Sequence, residues 1–415
     1  MPPHRAIRSD AFMFDIAQPS GWSYKPGDTI IGHLVRKIPI VSPNATVTLS
    51  FVGRSKVKIT YNRSNSKTSY RDEAQFVNLH YTVFKGPVHL PEGSEEPLSW
   101  PISVNIPLEP HSSCRQGRPA DCSLLPINQE HPGHHILPGS FYSEDTSFGN
   151  PDSNCFIEYY LVANLRYSHG GSWKSYESIH PITIRHPITN TTRLGTSVIL
   201  KDTRIINSQR LLPGMENADL SFKEHMQKFF SSSKVPTFKY GIRLTVPSAI
   251  QFNNPIPIPF LLEITPINEG TSENIKDISQ NIQVVSIDMT LQPYTQCIAP
   301  GNYITSQYSN AYTEKFGLGL QPVFIGLNPP LIINTGKENT PLHIGNTFQL
   351  TLTPAGLKSG TRQLAFAYSE RVNSDFQTYN IEHFNTLKYT VTLKIAGEKV
   401  VHKFSPVPTE ILSSA

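Results

Sequence analysis

The stretch Tyr24-Lys25-Pro26-Gly27-Asp28-Thr29-Ile30-Ile31-Gly32-His33-Leu34 decides how this chain is read. Proline fixes φ and glycine accepts a positive φ, so Pro26-Gly27 predicts a tight turn. An apolar run from Phe12 to Ile16 precedes the turn, and a β-rich run through Ile30, Ile31, Leu34 and Val35 follows it. The turn therefore delivers the chain into a strand or hairpin.

Composition extends this reading outward. The chain has 415 residues, enough for two or three ordinary domains. Only 16% of residues are charged, which argues against a disordered or long helical protein. The 35 prolines and 25 glycines punctuate short aromatic and β-branched runs, the pattern of an all-β protein. Net charge is +4, too weak a basic balance to imply nucleic acid by itself. The four cysteines (Cys114, Cys122, Cys155 and Cys297) are too sparse for a disulfide framework and are expected as reduced thiols. The N-terminal residues carry no apolar core of signal-peptide length, and no stretch reaches the ~20 apolar residues that span a bilayer. The expectation is a soluble, cytosolic protein whose glycosylation triplets at Asn44, Asn62 and Asn190 are unused.

Along 46–61 a single parity holds. Val47, Leu49, Phe51, Val57, Ile59 and Tyr61 alternate with Thr46, Thr48, Ser50, Arg54, Lys56, Lys58 and Thr60. Period-two alternation predicts one buried and one wet face, with a bulge or bend at Gly53. Further strands are predicted over 76–84, 98–106, 155–167 and 173–185, then over 282–291, 348–353, 364–368, 386–395 and 399–404. Residues 109–136 have no apolar period and read as a long loop. A short amphipathic helix is predicted over 219–230, where Ser221 and Glu224 have capping-box spacing. In Asn253-Asn254-Pro255-Ile256-Pro257-Ile258-Pro259-Phe260, three alternate prolines remove donors along one side. That segment must lie at a sheet edge or be irregular, while Ile256, Ile258 and Phe260 can still face a core. Tyrosine-bearing alternating strands recur late in each half, at 157–165 and 387–395, which suggests two similar sandwiches in tandem.

Several pieces in this order resemble the arrestin-like family, in particular its fungal-type, non-visual trafficking adaptors. They are Pro26-Gly27-Asp28 through Gly32, Leu49-Ser50-Phe51-Val52-Gly53-Arg54-Ser55, Leu137-Pro138-Gly139-Ser140-Phe141, the strand 157–165, and 387–395 with the closing 406–412. The resemblance implies an all-β fold of two tandem β-sandwich lobes with a short helix near the inter-lobe linker. The lobes would cover 1–186 and 235–415, with 187–234 as linker and hinge. It further implies a non-enzymatic adaptor, without cofactor, that binds cytoplasmic tails of membrane receptors or transporters in endocytosis and protein trafficking. Many such adaptors recruit a HECT-type ubiquitin ligase through Pro-Pro-x-Tyr. Here Pro2-Pro3 and Pro329-Pro330 lack the tyrosine, so a ligase would have to be reached by another route.

Six basic residues, Arg54, Lys56, Lys58, Arg63, Lys67 and Arg71, fall in one segment that no aspartate or glutamate interrupts. The first three share the wet parity of one strand and predict a basic stripe. Like charges in a row repel, and an anionic visitor relieves the repulsion. The stripe is the candidate site for acidic or phosphorylated cargo, or for an anionic membrane surface. The alternative is a solvated sheet face. His131-Pro132-Gly133-His134-His135 lies near Cys114 and Cys122 in sequence, but the spacing fits no compact zinc motif and a metal-free loop is expected. No nucleophile elbow, phosphate loop, dinucleotide fingerprint or His-Glu-x-x-His is present. Three other readings remain open: a retromer-type trafficking scaffold, a carbohydrate-binding or structural β-sandwich module, and a hydrolase on a β-sandwich scaffold.

Overall fold

A computed structural model describes residues 11–19, 22–63, 66–111, 114, 118–127, 136–147, 149–187, 194–216, 235–301, 306–336, 340–364 and 372–414. The fold is all-β. Two units emerge. The first comprises Met1–Pro187, Thr295–Tyr312 and Phe376–His383; the second comprises Ile188–Tyr294, Thr313–Asp375 and Phe384–Ala415. The units are thus not consecutive blocks of sequence. The helix expected over 219–230 lies outside the described residues, as does all of the strand expected over 364–368 except Leu364.

In the first unit, β1 (Met13–Ile16), β2 (Thr29–Arg36) and β5 (Leu98–Asn105) form one antiparallel sheet. A second sheet runs in the order β4 (Ser66–Leu90), β3 (Ile40–Arg63), β7 (Asp152–His169), β6 (Phe141–Asp145), with β8 (Ser172–Ile182) also paired to β7. The opening turn forms as its sequence demands. Gly27 has φ +91°, and the Asp28 amide donates to the Lys25 carbonyl at 3.1 Å. The Gly27 amide donates to Ile106 at 2.9 Å, which ties the turn to the end of β5.

Odd residues of β3 point inward: Val47, Leu49, Phe51, Val57 and Ile59 are buried. Each such side chain stabilises by about 1.5–3 kcal/mol relative to exposure. The irregularity expected at Gly53 is present, but the extra residue sits on the neighbouring strand. Gly53 pairs with Val77 and Arg54 with Gln75, so Phe76 of β4 is the unpaired residue. The pairing of β3 with β7 runs through Gly53 without a shift, which is why β3 keeps one parity. Gly53 is required for a different reason. A β-carbon there would overlap the ring of Tyr159, which stacks on Phe51 at 6.2 Å and donates its hydroxyl to the Pro138 carbonyl.

The second unit places β9 (Ser197–Asn207), β10 (Thr237–Pro247) and β12 (Leu261–Pro266) in a sheet closed by Leu342–His343, and β11 (Ala249–Gln251) pairs in parallel with Glu410–Leu412. β13 (Asn281–Pro300) and the strand Ile381–Ile395 belong to an eight-stranded sheet together with β14 (Gln307–Thr313). Residues 253–260 form no strand. Ile258 and Phe260 are buried there, but Ile256 is 71% exposed and does not follow their parity inward, because its amide is held by the Asn254 side chain in a local turn.

Two buried histidines of the first unit flank one ring. His186 stacks on Phe376 at 4.5 Å, and His383 lies 5.8 Å from the same ring. The Gly139 amide donates to His186 Nδ1 at 2.9 Å, so that ring is neutral with its proton on Nε2. Burial, with the neighbouring His383, pushes the His186 pKa down to about 3, and burial lowers that of His383 to about 4. Both values lie below that of an unfolded histidine. The unfolded chain therefore takes up these protons first, and stability present above pH 6.5 is lost as pH falls. Asp375 in the second unit, raised to about 7 by burial, acts in the opposite sense, so a variant comparison isolates the histidine. Between pH 7 and pH 5, urea unfolding should show the native chain losing about 2 kcal/mol more than His383→Phe; parallel pH profiles would contradict the neutral buried ring. Gly53→Ala should lower the urea midpoint by an amount equivalent to about 1–3 kcal/mol through overpacking against Tyr159, and an unchanged midpoint would show that the ring can move aside.

Candidate functional site

The outer face of β4, β3 and β7 carries Arg54, Lys56, Lys58 and Arg71 of the basic residues singled out in the sequence. Cross-strand partners share a face. Lys56 pairs with Glu73 and Phe156, Lys58 with Arg71 and Asn154, and Arg54 with Gln75 and Glu158. The stripe is therefore the middle row of a three-strand array, and the array brings in carboxylates that are distant or outside the basic segment in sequence.

Arg54 is 15% exposed, and its Nε donates to Glu158 Oε1 at 2.8 Å while Nη1 reaches Glu73 Oε1 at 3.3 Å. Burial opposes its charge, but the Glu158 hydrogen bond and the nearby acidic groups outweigh that and hold the guanidinium above its usual pKa. Its guanidinium also sits 5.4 Å from the centre of the Tyr160 ring. Lys56 Nζ lies 3.3 Å from Glu73 Oε2. Lys67, largely exposed, approaches Asp152 Oδ2 at 3.9 Å. Arg63 ends β3, and its side chain lies outside the described residues.

Lys58 and Arg71 differ. They stand directly opposite each other, and among the described residues neither has a carboxylate oxygen within 4.0 Å. Both line a hollow of about 300 Å³ together with Lys56, Val57, Asp72, Glu73, Asn154 and Phe156. Asn154 donates to the Tyr142 hydroxyl at 3.0 Å, and its buried Oδ1 accepts no hydrogen bond. Two opposed cations, with Phe156 on the same face of the sheet, suit an anionic group.

The hollow is braced from the inner face of the same sheet. Asp72 is 9% exposed, and its Oδ2 accepts from Arg118 Nη2 at 2.6 Å and from Asn380 Nδ2 at 2.7 Å. Ser55 donates to Asn380 Oδ1 at 2.6 Å, and Arg118 Nη1 to the Cys122 carbonyl at 3.1 Å. This cluster engages the Asp72 carboxylate, so it does not neutralise Lys58 or Arg71. Sequence reading missed it because its members are scattered from Ser55 to Asn380.

One relay elsewhere has the chemistry of a general-base triad. In the second unit, Asp202 Oδ2 is 2.9 Å from His402 Nδ1, and His402 Nε2 is 2.9 Å from the Tyr240 hydroxyl. Tyr240 and His402 are fully buried, and burial, with the Asp202 charge, raises the tyrosine pKa. The relay ties β9, β10 and Glu398–Lys403 together. Of the metal candidate, Cys114 and Cys122 are buried free thiols, while His131, His134 and His135 lie outside the described residues. Among the described residues no group of three or more histidine, cysteine or acidic side chains is placed to hold a metal, and no helix is long and apolar enough to cross a membrane.

Removing one side of the buried Asp72–Arg118 pair leaves a charge without its partner. Asp72→Ala should cost about 3–5 kcal/mol of unfolding free energy, whereas Asp72→Leu with Arg118→Met should recover most of it. Equal losses in the single and double variants would contradict the pairing.

No family model matches this chain, and no curated protein matches it.

Proposed function

We propose that this chain is a non-enzymatic adaptor of arrestin-like character whose two units are β-sandwich lobes. It holds acidic or phosphorylated cytoplasmic tails of membrane proteins at the cytoplasmic face of the plasma membrane or endosomes. The observation that supports this reading most is the cross-strand pair Lys58–Arg71. It is a like-charge pair with no carboxylate oxygen within 4.0 Å among the described residues, set in a hollow wide enough for an acidic or phosphorylated side chain. The order of family-like segments from Pro26-Gly27-Asp28 to 406–412 supplies the arrestin-like part. A HECT-type ubiquitin ligase, in this reading, joins through a second protein, since neither Pro-Pro pair is followed by the tyrosine its domains recognise.

Lys56 lines the hollow and Arg54 lies next along the same row, and their charges are already engaged by Glu73 and Glu158. The discriminating residues are therefore Lys58 and Arg71. Fluorescence anisotropy with a labelled phosphoserine-rich acidic peptide should give a dissociation constant that weakens with added salt. Lys58→Glu with Arg71→Glu should weaken it by about tenfold or more, while Lys67→Glu changes it little. Unchanged affinity in the double variant would reject the site; binding of vesicles of anionic phospholipid in place of the peptide would reassign its ligand to the membrane surface.

A further inference from the structure

Strand β9 ends its sheet. All 11 of its residues pair with β10 in an unbroken register, and among the described residues no strand pairs with its other side. Edge strands are commonly protected by brevity, proline, a bulge or charged side chains. β9 has only the last of these, in Lys201, Asp202 and Arg204. Ile199 and Ile205 lie on its open face, 45% and 57% exposed.

The charges of this edge are self-complementary. In an antiparallel pair, residues opposite each other share a face, so three central registers are available to two copies of β9. One sets Lys201 against Lys201 of the second copy, and another sets Asp202 against Asp202. Both place like charges directly opposite, which is unfavourable. The third centres on Thr203. It sets Asp202 against the second copy's Arg204, and Arg204 against its Asp202, with a threonine pair on the two-fold axis. The same register lays Ile199 diagonally across from the second copy's Ile205, covering the exposed apolar side chains. Arg204 is half exposed and lies 3.1 Å from its own Asp202, so it can turn across the edge without disturbing the core. Asp202 stays fixed by His402 and by the Thr203 amide.

We propose that this chain forms a two-fold dimer through antiparallel β9–β9 pairing centred on Thr203. The occupant of the edge is a second copy, because the Asp202-Thr203-Arg204 run complements its own reverse. The β9 edge belongs to the second unit and the basic hollow to the first.

Sedimentation equilibrium of the full chain tests the pairing. Twice the monomer mass is expected at high micromolar concentration. Arg204→Asp sets acidic residues against each other and should raise the dimer dissociation constant by about tenfold or more. Thr203→Cys reports the register without altering charge. Its two thiols should join as a disulfide across the two-fold axis, with diamide taking up the two electrons and two protons. The same treatment of Lys201→Cys should leave monomers, and the four natural cysteines are buried. A monomer at every concentration overturns the proposal, including one that captures an extended peptide of another protein on this edge. So does a dimer that Arg204→Asp leaves intact, or one that cross-links through Lys201→Cys instead of Thr203→Cys.

Discussion

The pairing of one strand on both sides is the constraint from which the core and the charged face of the first unit follow. Strand β3 is 24 residues long, and its ladder with β7 runs from Ala45 to Thr60 without a shift. With that register fixed, Phe51, Val57 and Ile59 enter the core, and Arg54, Lys56 and Lys58 line up on the opposite face. A slip of one residue would exchange the two sets and bury three cations at a cost no packing could offset. The apolar face therefore holds the basic row in place, and the register decides which of its charges are cancelled.

The parity of β3 was legible because period-two alternation is a local property of sequence. The Pro26-Gly27 turn was legible for the same reason, since a fixed φ and a positive φ belong to those two residues alone. The charge balance was not. Glu73 lies two residues beyond Arg71, and Glu158 is more than a hundred residues from Arg54, so only strand pairing brings them to the row. An uninterrupted basic segment in sequence thus becomes a checkerboard in which, among the described residues, Lys58 and Arg71 have no carboxylate within 4.0 Å. Gly53 shows the same division. The sequence marks an irregularity, but whether the extra residue belongs to β3 or to its neighbour depends on β4, where Phe76 turns out to be unpaired.

Buried polar groups elsewhere in the molecule act as fasteners. Asp72, Arg118, Asn380 and Ser55 satisfy one another behind the hollow, and Asp202, His402 and Tyr240 do so in the second unit. Each has the residue types of a reactive constellation, and each is closed to solvent at the atom that would have to react. The proposed associations use two other features: the opposed cations Lys58 and Arg71, and a long strand edge with self-complementary charge.

Hydrogen exchange of backbone amides during titration with a phosphoserine-rich acidic peptide tests the central claim most directly. The account predicts that added protection concentrates at residues 56–58, 71–73 and 154–156, around Lys58 and Arg71. Protection confined to other strands, with those three segments unchanged at saturation, would contradict it.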